Sequence, residues 1–287
     1  MTDRLRSVCL VCSILIIIGV PARPCEAVEK TAATLHVKDA LTVPGRPASV
    51  EAQLAVRAVS GTRGLGGEPL ELVVDGKVAA TAMTGGDGRA FFTYATKTQG
   101  VMPIQVRVGN SPRILPAAGE ANLVVWERRN PILAIDMASL IDDTREPSPL
   151  PGIGIRRELE HKPMPDAAVE IGKLTRFYYK AIYVVSPSEW DGFRASAQAR
   201  AWLKIHHFPT GYVLALPPGN EALGATIDEL RASGWNAIKA GIGRTKAFAE
   251  AFLQRRLEAV IVPEPAKGDI PRKASVAKEW KEIRKKL

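Results

Sequence analysis

The stretch Asn130–Leu140, NPILAIDMASL, decides how the chain is interpreted. Four consecutive apolar residues, 132–135, run directly into Asp136, which is typical of a strand buried on both faces of a parallel sheet. Ligand and catalytic groups in such sheets lie at the carboxyl ends of the strands, so Asp136 is a candidate site residue. The alternative is that Asp136 caps the helix that follows, and the local sequence favours neither interpretation.

Downstream of this stretch, strands alternate with helices, which predicts a doubly wound parallel sheet. The further predicted strands are Ala181–Val185, Tyr212–Leu216, Ala237–Gly241 and Ala259–Val262. The predicted helices are Ala167–Leu174, Asp191–Lys204, Leu223–Ala232 and Lys246–Gln254.

Upstream, the pattern between Thr34 and Glu127 is strand after strand. Residues 50–56 alternate between apolar and polar positions, which indicates a half-buried strand, and Asp75-Gly76 is a strong signal for a tight hairpin. About seven strands at regular spacing, with no helical stretch, predict an antiparallel sandwich.

The amino end has the layout of a secretory signal. Arg4 and Arg6 precede the apolar core Val8–Val20, and the small residues near Ala27 suit a cleavage point, so we predict a signal peptide over 1–27. The core is shorter than the about 20 residues that span a bilayer, but an uncleaved anchor remains an alternative. The chain is therefore expected to be exported, to the periplasm, the cell envelope or the medium.

The net charge and the positions of the cysteines limit which partners and reactions are expected. The chain has 287 residues, enough for two domains, and a formal net charge of +9, which favours anionic partners. All three cysteines (Cys9, Cys12 and Cys25) lie in the predicted signal peptide. The predicted mature chain therefore has neither a disulfide nor a thiol nucleophile.

Residues 28–128 are predicted to form one domain, and its motif positions resemble bacterial Ig-like domains. The pattern consists of Thr84, Gly88, Ala90, Tyr94 and Gly100. The resemblance implies a spacer or adhesion module, with a possible protein partner, and says almost nothing about chemistry.

Residues 129–267 resemble the haloacid-dehalogenase-like (HAD-like) fold, and within it the phosphatidate-phosphatase and lipin-like branch. The resemblance rests on the strand ending in Asp136, the strand followed by Ser186-Pro187, the turn HFPTG at 207–211, and GIGRTKAFAEAF at 241–252. In such a family the first Asp attacks phosphorus, an acid two residues later protonates the leaving oxygen, and acids in the last motif hold magnesium.

Several positions of the chain match this pattern, and others depart from it. Asp136 stands at the nucleophile position, and the substrate-binding positions are Ser186, Gly241, Gly243 and, as the nearest basic candidate, Lys239. Ala138 replaces the general acid and Leu140 a supporting Thr, while Phe248 stands where the metal-binding Asp is expected.

Losing the general acid costs on the order of 10²–10⁴ in rate, so the resemblance implies a catalytically degenerate relative with no metal. It would bind a phosphorylated or anionic small molecule, a lipid head group, or a partner protein. The first alternative is an active phosphoric-ester hydrolase that uses magnesium, Asp136 and the substitute acids Asp142 and Asp143. The second alternative is a purely structural envelope protein.

Three further features have two interpretations each. His206-His207 favours a braced turn over a metal site, because adjacent side chains of an extended segment point to opposite faces. Gly241-x-Gly243 suits an anion cradle or a tight turn equally well. The basic segment 268–287 is predicted to be a helix, lying on anionic lipid or docked on the sheet, and nothing indicates nucleic-acid binding.

Overall fold

The computed structural model describes residues 30–58, 61–142, 161–186, 192–219, 221–265 and 270–287. They form a β-sandwich followed by an α/β domain with a parallel sheet, which confirms the predicted fold class. The predicted signal peptide and Asp143 lie outside the described residues. Among the helices that are described, none is both long and apolar enough to cross a membrane.

Between residues 30 and 128, the described part of the sandwich contains nine strands in two sheets. They are β1 (Thr34–Val37), β2 (Ala40–Thr42), β3 (Pro47–Ala58), β4 (Gly61–Gly64), β5 (Pro69–Val74), β6 (Lys77–Met83), β7 (Arg89–Ala95), β8 (Gly100–Val108) and β9 (Ala118–Val125). In one sheet β3 pairs with β1, β4 and β7, and the other sheet has the order β2-β9-β8-β5-β6. The sequence pattern missed the short strands because three or four residues carry too little periodicity.

The hairpin turn and the half-buried strand that the sequence predicts are both present in the structure. Asp75 and Gly76 join β5 to β6 as a two-residue turn, and both have positive φ, 49° and 75°. This is the backbone that such a hairpin requires. Alternate residues of β3, including Val50, Ala52 and Leu54, are fully buried between the sheets, as the period of two predicts.

The described part of the α/β domain has six strands, all parallel, in the order β12-β11-β10-β13-β14-β15. The strands are β10 (Ile132–Asp136), β11 (Lys180–Val185), β12 (Tyr212–Ala215), β13 (Ile238–Gly243), β14 (Glu258–Ile261) and β15 (Ser275–Val276). The helices are α1 (Met137–Leu140), α2 (Ala167–Phe177), α3 (Gly192–Ile205), α4 (Ala222–Ala232) and α5 (Lys246–Leu253).

Helices cover both faces of this sheet, which is why β10 is apolar at every position but its last. Leu133 and Ile135 face a core shared with α2 and α3, whereas Ile132 and Ala134 face a core shared with α4 and α5. Because β10 lies between β11 and β13, all five of its residues are buried. The central position of β10 places its carboxyl end where the strand order reverses.

The carboxyl-terminal segment differs from the single basic helix that the sequence predicted. It adds β15 to the edge of the sheet and then forms a 3₁₀-helix, Trp280–Lys285. Trp280 and Ile283 are buried in the core, and Arg284 Nε donates a hydrogen bond of 2.8 Å to the buried Glu170 carboxylate. The apolar stripe is therefore covered by this domain itself.

The two domains are joined by a buried ion pair. Arg200 of α3 lies 3.0 Å from Asp39, and the side chains are 12% and 0% exposed. Asp39 also accepts hydrogen bonds from the backbone N–H groups of Asn122 and Val213, at 2.8 and 2.9 Å. Since Asn122 belongs to the sandwich and Val213 to the α/β domain, one carboxylate ties the two domains together.

Candidate functional site

The carboxyl edge of the parallel sheet brings together three of the residues singled out in the sequence. Asp136 ends β10 and pairs in register with Val184 of β11, so Ser186, two residues further on, lies at the same edge. Ile135 pairs with Ile242, which places Gly243 beside Asp136 on the other side. Ser186 is exposed, whereas Asp136 is buried.

The carboxylate of Asp136 already has a structural task. Its Oδ1 accepts a hydrogen bond of 3.1 Å from the backbone N–H of Ala138, so Asp136 is the N-cap of α1. Both interpretations of the sequence therefore apply, because the residue ends the strand and also caps the helix. Burial raises the pKa of Asp136, opposed by hydrogen bonds from the backbone N–H groups of Ala138 and Arg244 and by the charge of Arg244.

The positions that would carry the general acid and its support hold no replacement. Ala138 has an exposed methyl group, and Leu140 is fully buried in the core. The hydroxyl of Ser139, between them, donates a 2.7 Å hydrogen bond to the backbone carbonyl of Asp136 and so faces the chain. This turn offers no side chain that could protonate a leaving oxygen.

Phe248 fills the position where the resemblance predicts a metal ligand. Its ring is buried and stacks on Phe252, with 5.1 Å between the ring centroids. A Cβ atom added to Gly243 would overlap the Phe248 ring. Gly243 therefore permits close packing of α5 against β13, and the tight-turn interpretation accounts for it.

Gly241 lies away from the edge. It pairs with Ala134, two residues before the end of β10, and is buried inside the sheet. A Cβ atom added there would lie 2.6 Å from the ring of Phe252. Gly241 therefore lies inside the sheet, two residues before the strand end that holds Asp136, and its substrate-binding role stays a prediction.

Lys239, the basic candidate for substrate binding, lies at the other end of the sheet from Asp136. It is exposed in the irregular part of β13, opposite the junction of Ile132 and Leu133. That junction is at the amino end of β10, and strands rise about 3.3 Å per residue, so Lys239 lies roughly 10 Å from Asp136 along the sheet. It cannot hold a phosphoryl oxygen at the opposite edge.

The substitute acids do not form a cation site in the described part of the chain. The backbone N–H of Asp142 donates a hydrogen bond of 2.8 Å to Lys162, which holds the loop after α1. Asp143 lies outside the described residues. Among the residues that the structure describes, there is no group of three or more His, Cys, Asp or Glu side chains able to hold a metal.

The residues present therefore do not fit the magnesium ion that the fold type implies. A buried ring occupies the ligand position at Phe248, and the charge next to Asp136 is the guanidinium of Arg244. A divalent cation beside Asp136 would be repelled by the like charge of that guanidinium.

Arg244 is the site residue that the sequence interpretation missed. It follows β13 directly, and its Nη2 donates a hydrogen bond of 2.8 Å to the carbonyl of Ile141 in the loop after α1. The available signal was the position itself, because the first residue after a parallel strand faces the same edge as Asp136.

The histidine pair braces a turn. His206 packs on Trp202, with 4.6 Å between the ring centroids, and burial lowers its pKa, helped by His207. His207 has a positive φ of 57° where the chain leaves α3. The third histidine of the region, His161, contributes a backbone carbonyl to Trp202 Nε1, at 2.9 Å, and no ligand to the pair.

Solved structures with similar folds match each half of the chain. The heptose 1,7-bisphosphate phosphatase of B. bronchiseptica, crystallised with magnesium and phosphate, has a TM-score of 0.41 and 13% identity over 54% of this chain and 96% of that chain. A putative HAD-like phosphatase of Mesorhizobium loti has a TM-score of 0.38 and 16% identity over 62% of this chain and 86% of that chain. The D0–D1 domain of intimin has a TM-score of 0.24 and 16% identity over 32% of this chain and 48% of that chain.

No family model and no curated protein matches the chain. The structural neighbours include phosphatases and a domain of intimin. At sequence identities of 13–16%, these structures do not indicate an activity for this chain. Its function is therefore inferred from its own residues.

Proposed function

We propose that the chain is an exported, phosphatase-like protein that has lost phosphoryl transfer and retains a binding role for a phosphorylated or anionic ligand. One observation carries the proposal: the Asp136 carboxylate is committed to capping α1 and lies beside the positive charge of Arg244. The fold of the α/β domain is kept, and the nucleophile position has become part of its framework.

The chemistry of the edge is unsuited to attack on phosphorus. A nucleophilic carboxylate has to reach the phosphorus atom, whereas the backbone N–H of Ala138 holds the Oδ1 atom of Asp136 at the start of α1. The absent proton donor costs on the order of a further 10²–10⁴ in rate. Phe248 excludes the acid that would hold a cation.

The same edge keeps features that suit binding of an anion. Ser186 offers an exposed hydroxyl at the end of β11, and Arg244 supplies a positive charge at the end of β13. Hydroxyl and guanidinium groups are common partners of phosphoryl oxygens. The net charge of +9 attracts anions to the surface in general.

Turnover is tested with p-nitrophenyl phosphate and with phosphatidate vesicles, each with and without magnesium, for the wild type and Asp136→Asn. We expect the two proteins to show the same background rate with both substrates. Magnesium-dependent turnover that Asp136→Asn abolishes would establish the active hydrolase instead. Turnover of phosphatidate alone would assign the chain to the lipin-like branch.

Binding is tested by calorimetric titration with inorganic phosphate. Ser186→Ala is expected to weaken phosphate binding about two- to ten-fold, the effect of one hydrogen bond. Ser233→Ala is the control, because Ser233 is an exposed serine whose hydroxyl bonds only within α4, to Leu230 at 2.8 Å. If wild type and Ser186→Ala both fail to bind phosphate, the purely structural role is favoured.

Export is tested by cell fractionation and by sequencing the amino end of the mature chain. Cleavage is expected after Ala27, and the mature protein is expected outside the cytoplasm. A full-length chain that remains in the membrane fraction would instead establish the uncleaved anchor.

A further inference from the structure

A cleft of about 380 Å³ lies between the two domains, at the end of the α/β sheet opposite to Asp136. The sandwich contributes Val101 and Trp126 to its lining, and the α/β domain contributes Gly172, Arg176, Tyr179 and Lys180. Lys180 pairs in register with Ile132, the first residue of β10, whereas Asp136 is the last. The cleft is therefore separate from the carboxyl edge.

The size and position of the cleft are those of a small-molecule site. Ligand pockets in proteins typically have volumes of about 300–1,000 Å³ and occur preferentially at domain interfaces. The buried pair of Asp39 and Arg200 fixes the two domains against each other, so the walls of the cleft are held in place without a ligand. A preformed site loses little free energy to ordering when it binds.

The charge of the cleft is positive. Arg176 and Lys180 line it, both are exposed, and neither forms an ion pair within the part of the chain that the structure describes. The guanidinium of Arg176 lies 5.3 Å from the centroid of the Phe177 ring, which restrains its plane. Two unneutralised cations on one side of a cleft attract an oxyanion.

Two aromatic residues also line the cleft. Trp126, which is 3% exposed, and the half-buried Tyr179 are both among the lining residues. Burial, and secondarily the charge of Glu258, raise the pKa of Tyr179, so its phenol stays a neutral hydrogen-bond donor. These side chains suit a planar group attached to the oxyanion.

Gly172 provides a second, independent observation. It lies in the middle of α2, where glycine costs about 0.5–1 kcal/mol relative to alanine. No packing constraint requires glycine there, since an added Cβ would meet only Pro209 Cγ, at an ordinary 3.9 Å. Gly172 therefore adds no side chain to this part of the cleft lining.

We infer that this interdomain cleft binds a small compound that carries a phosphate or carboxylate group on a planar apolar group. Arg176 and Lys180 hold the oxyanion, and Trp126 and Tyr179 contact the planar group. The site goes beyond the proposed function, because it uses neither Ser186 nor any other residue of the carboxyl edge.

The test is a calorimetric titration of the full chain with phenyl phosphate, benzoate and benzyl alcohol. The first two carry the two oxyanions on the same ring, and benzyl alcohol carries no charge. We expect binding of at least one of the two anions, with a dissociation constant at least about ten-fold below that of benzyl alcohol, because a charged hydrogen bond is lost in the alcohol. The anion that binds more tightly shows whether the cleft prefers a phosphate or a carboxylate group.

Two variants keep the fold and change the cleft. Arg176→Gln/Lys180→Gln is expected to weaken anion binding at least about ten-fold, and Gly172→Leu to abolish it by filling this part of the cleft. The exposed Lys204→Gln of α3 is the matched control, and it is expected to bind as the wild type does. Circular dichroism verifies that every variant is folded.

The proposal is overturned if neither anion binds at millimolar concentration, or if benzyl alcohol binds as tightly as the anions. It is also overturned if a folded Gly172→Leu protein binds the anions like the wild type. Ser186→Ala distinguishes this site from the edge site, because it is expected to leave phenyl phosphate binding in the cleft unchanged. If Ser186→Ala abolishes that binding while Gly172→Leu does not, the ligand belongs to the edge.

Discussion

Arg200→Met is expected to lower the free energy of unfolding by about 3–5 kcal/mol at neutral pH, because removing one partner of a buried ion pair leaves the other charge uncompensated. Arg200 is 12% exposed and donates three hydrogen bonds to the sandwich, to Asp39 at 3.0 Å and to the carbonyls of Val37 and Glu120, both at 2.7 Å. Methionine keeps the length of the aliphatic side chain, so the loss is mainly one of charge and hydrogen bonding.

The effect of this substitution is expected to depend on pH in a defined direction. Burial raises the pKa of Asp39 above its ordinary value of 3.8, and Arg200 opposes that rise. Without Arg200 the folded protein holds the Asp39 proton more tightly than the unfolded chain does. The destabilisation of Arg200→Met is therefore largest at neutral pH and decreases as the pH falls through the raised pKa of Asp39.

The assay is urea unfolding followed by tryptophan fluorescence and by far-UV circular dichroism. With about 1–3 kcal/mol per molar urea, the midpoint is expected to fall by roughly 1–5 M. Only one of the five tryptophans, Trp126, precedes Asn130, so fluorescence reports chiefly on the α/β domain, and dichroism reports on both domains. The two transitions are expected to coincide in the wild type and to separate in the variant, because the pair couples the domains.

Arg107→Met is the matched control, since Arg107 and its partner Glu71 are 49% and 27% exposed at 2.8 Å. An exposed pair contributes about 0–1 kcal/mol, so this variant is expected to unfold nearly as the wild type does. A loss below about 1 kcal/mol for Arg200→Met, with coincident transitions, would refute the assignment of the ion pair as the connection between the domains.

Three further perturbations test the packing around the carboxyl edge, each measured by urea unfolding. Gly243→Ala is expected to cost about 1–3 kcal/mol, because its new methyl group overlaps the Phe248 ring, whereas Gly86→Ala, with open space around it, is expected to change stability by less than about 0.5 kcal/mol. Trp280→Ala is expected to cost about 3–5 kcal/mol, because the side chain is 1% exposed in the core under the edge, and an unchanged midpoint would contradict that placement. Asp136→Asn is expected to stabilise the protein at neutral pH, because the raised pKa of Asp136 means that its ionised form is unfavourable in the folded state. Protonation of Asp136 removes that penalty, so the gain in stability is expected to disappear in acid. A variant that is less stable than the wild type at neutral pH would contradict this expectation.

Much of the fold followed from local patterns in the sequence. The predicted strand ending at Asp136 and the predicted helix Lys246–Gln254 agree with β10 and α5 to within one residue at each end. Buried strands and amphipathic helices have distinct periods, and the Asp75-Gly76 turn has distinct backbone requirements, so neighbouring residues suffice to identify them. The short strand β15 was missed because two residues carry no period.

Much less of the candidate site followed from the sequence. The rule that functional groups lie at strand ends placed Asp136 and Ser186 at one edge, but spacing alone put Lys239 there too, and the direction of β13 places it at the other end. Arg244 was missed because its effect on Asp136 comes through the pairing of β10 with β13, more than a hundred residues apart in the chain.

By itself, the sequence determined which segments form strands and helices and which chemical groups end them, since these properties depend on residues a few positions apart. Only the tertiary structure decided how those groups meet. Asp39 and Arg200 are 161 positions apart, and the cleft between Trp126 and Lys180 exists only once the two domains pack together. Contacts of this kind are set by the summed packing of whole domains, which no local pattern encodes.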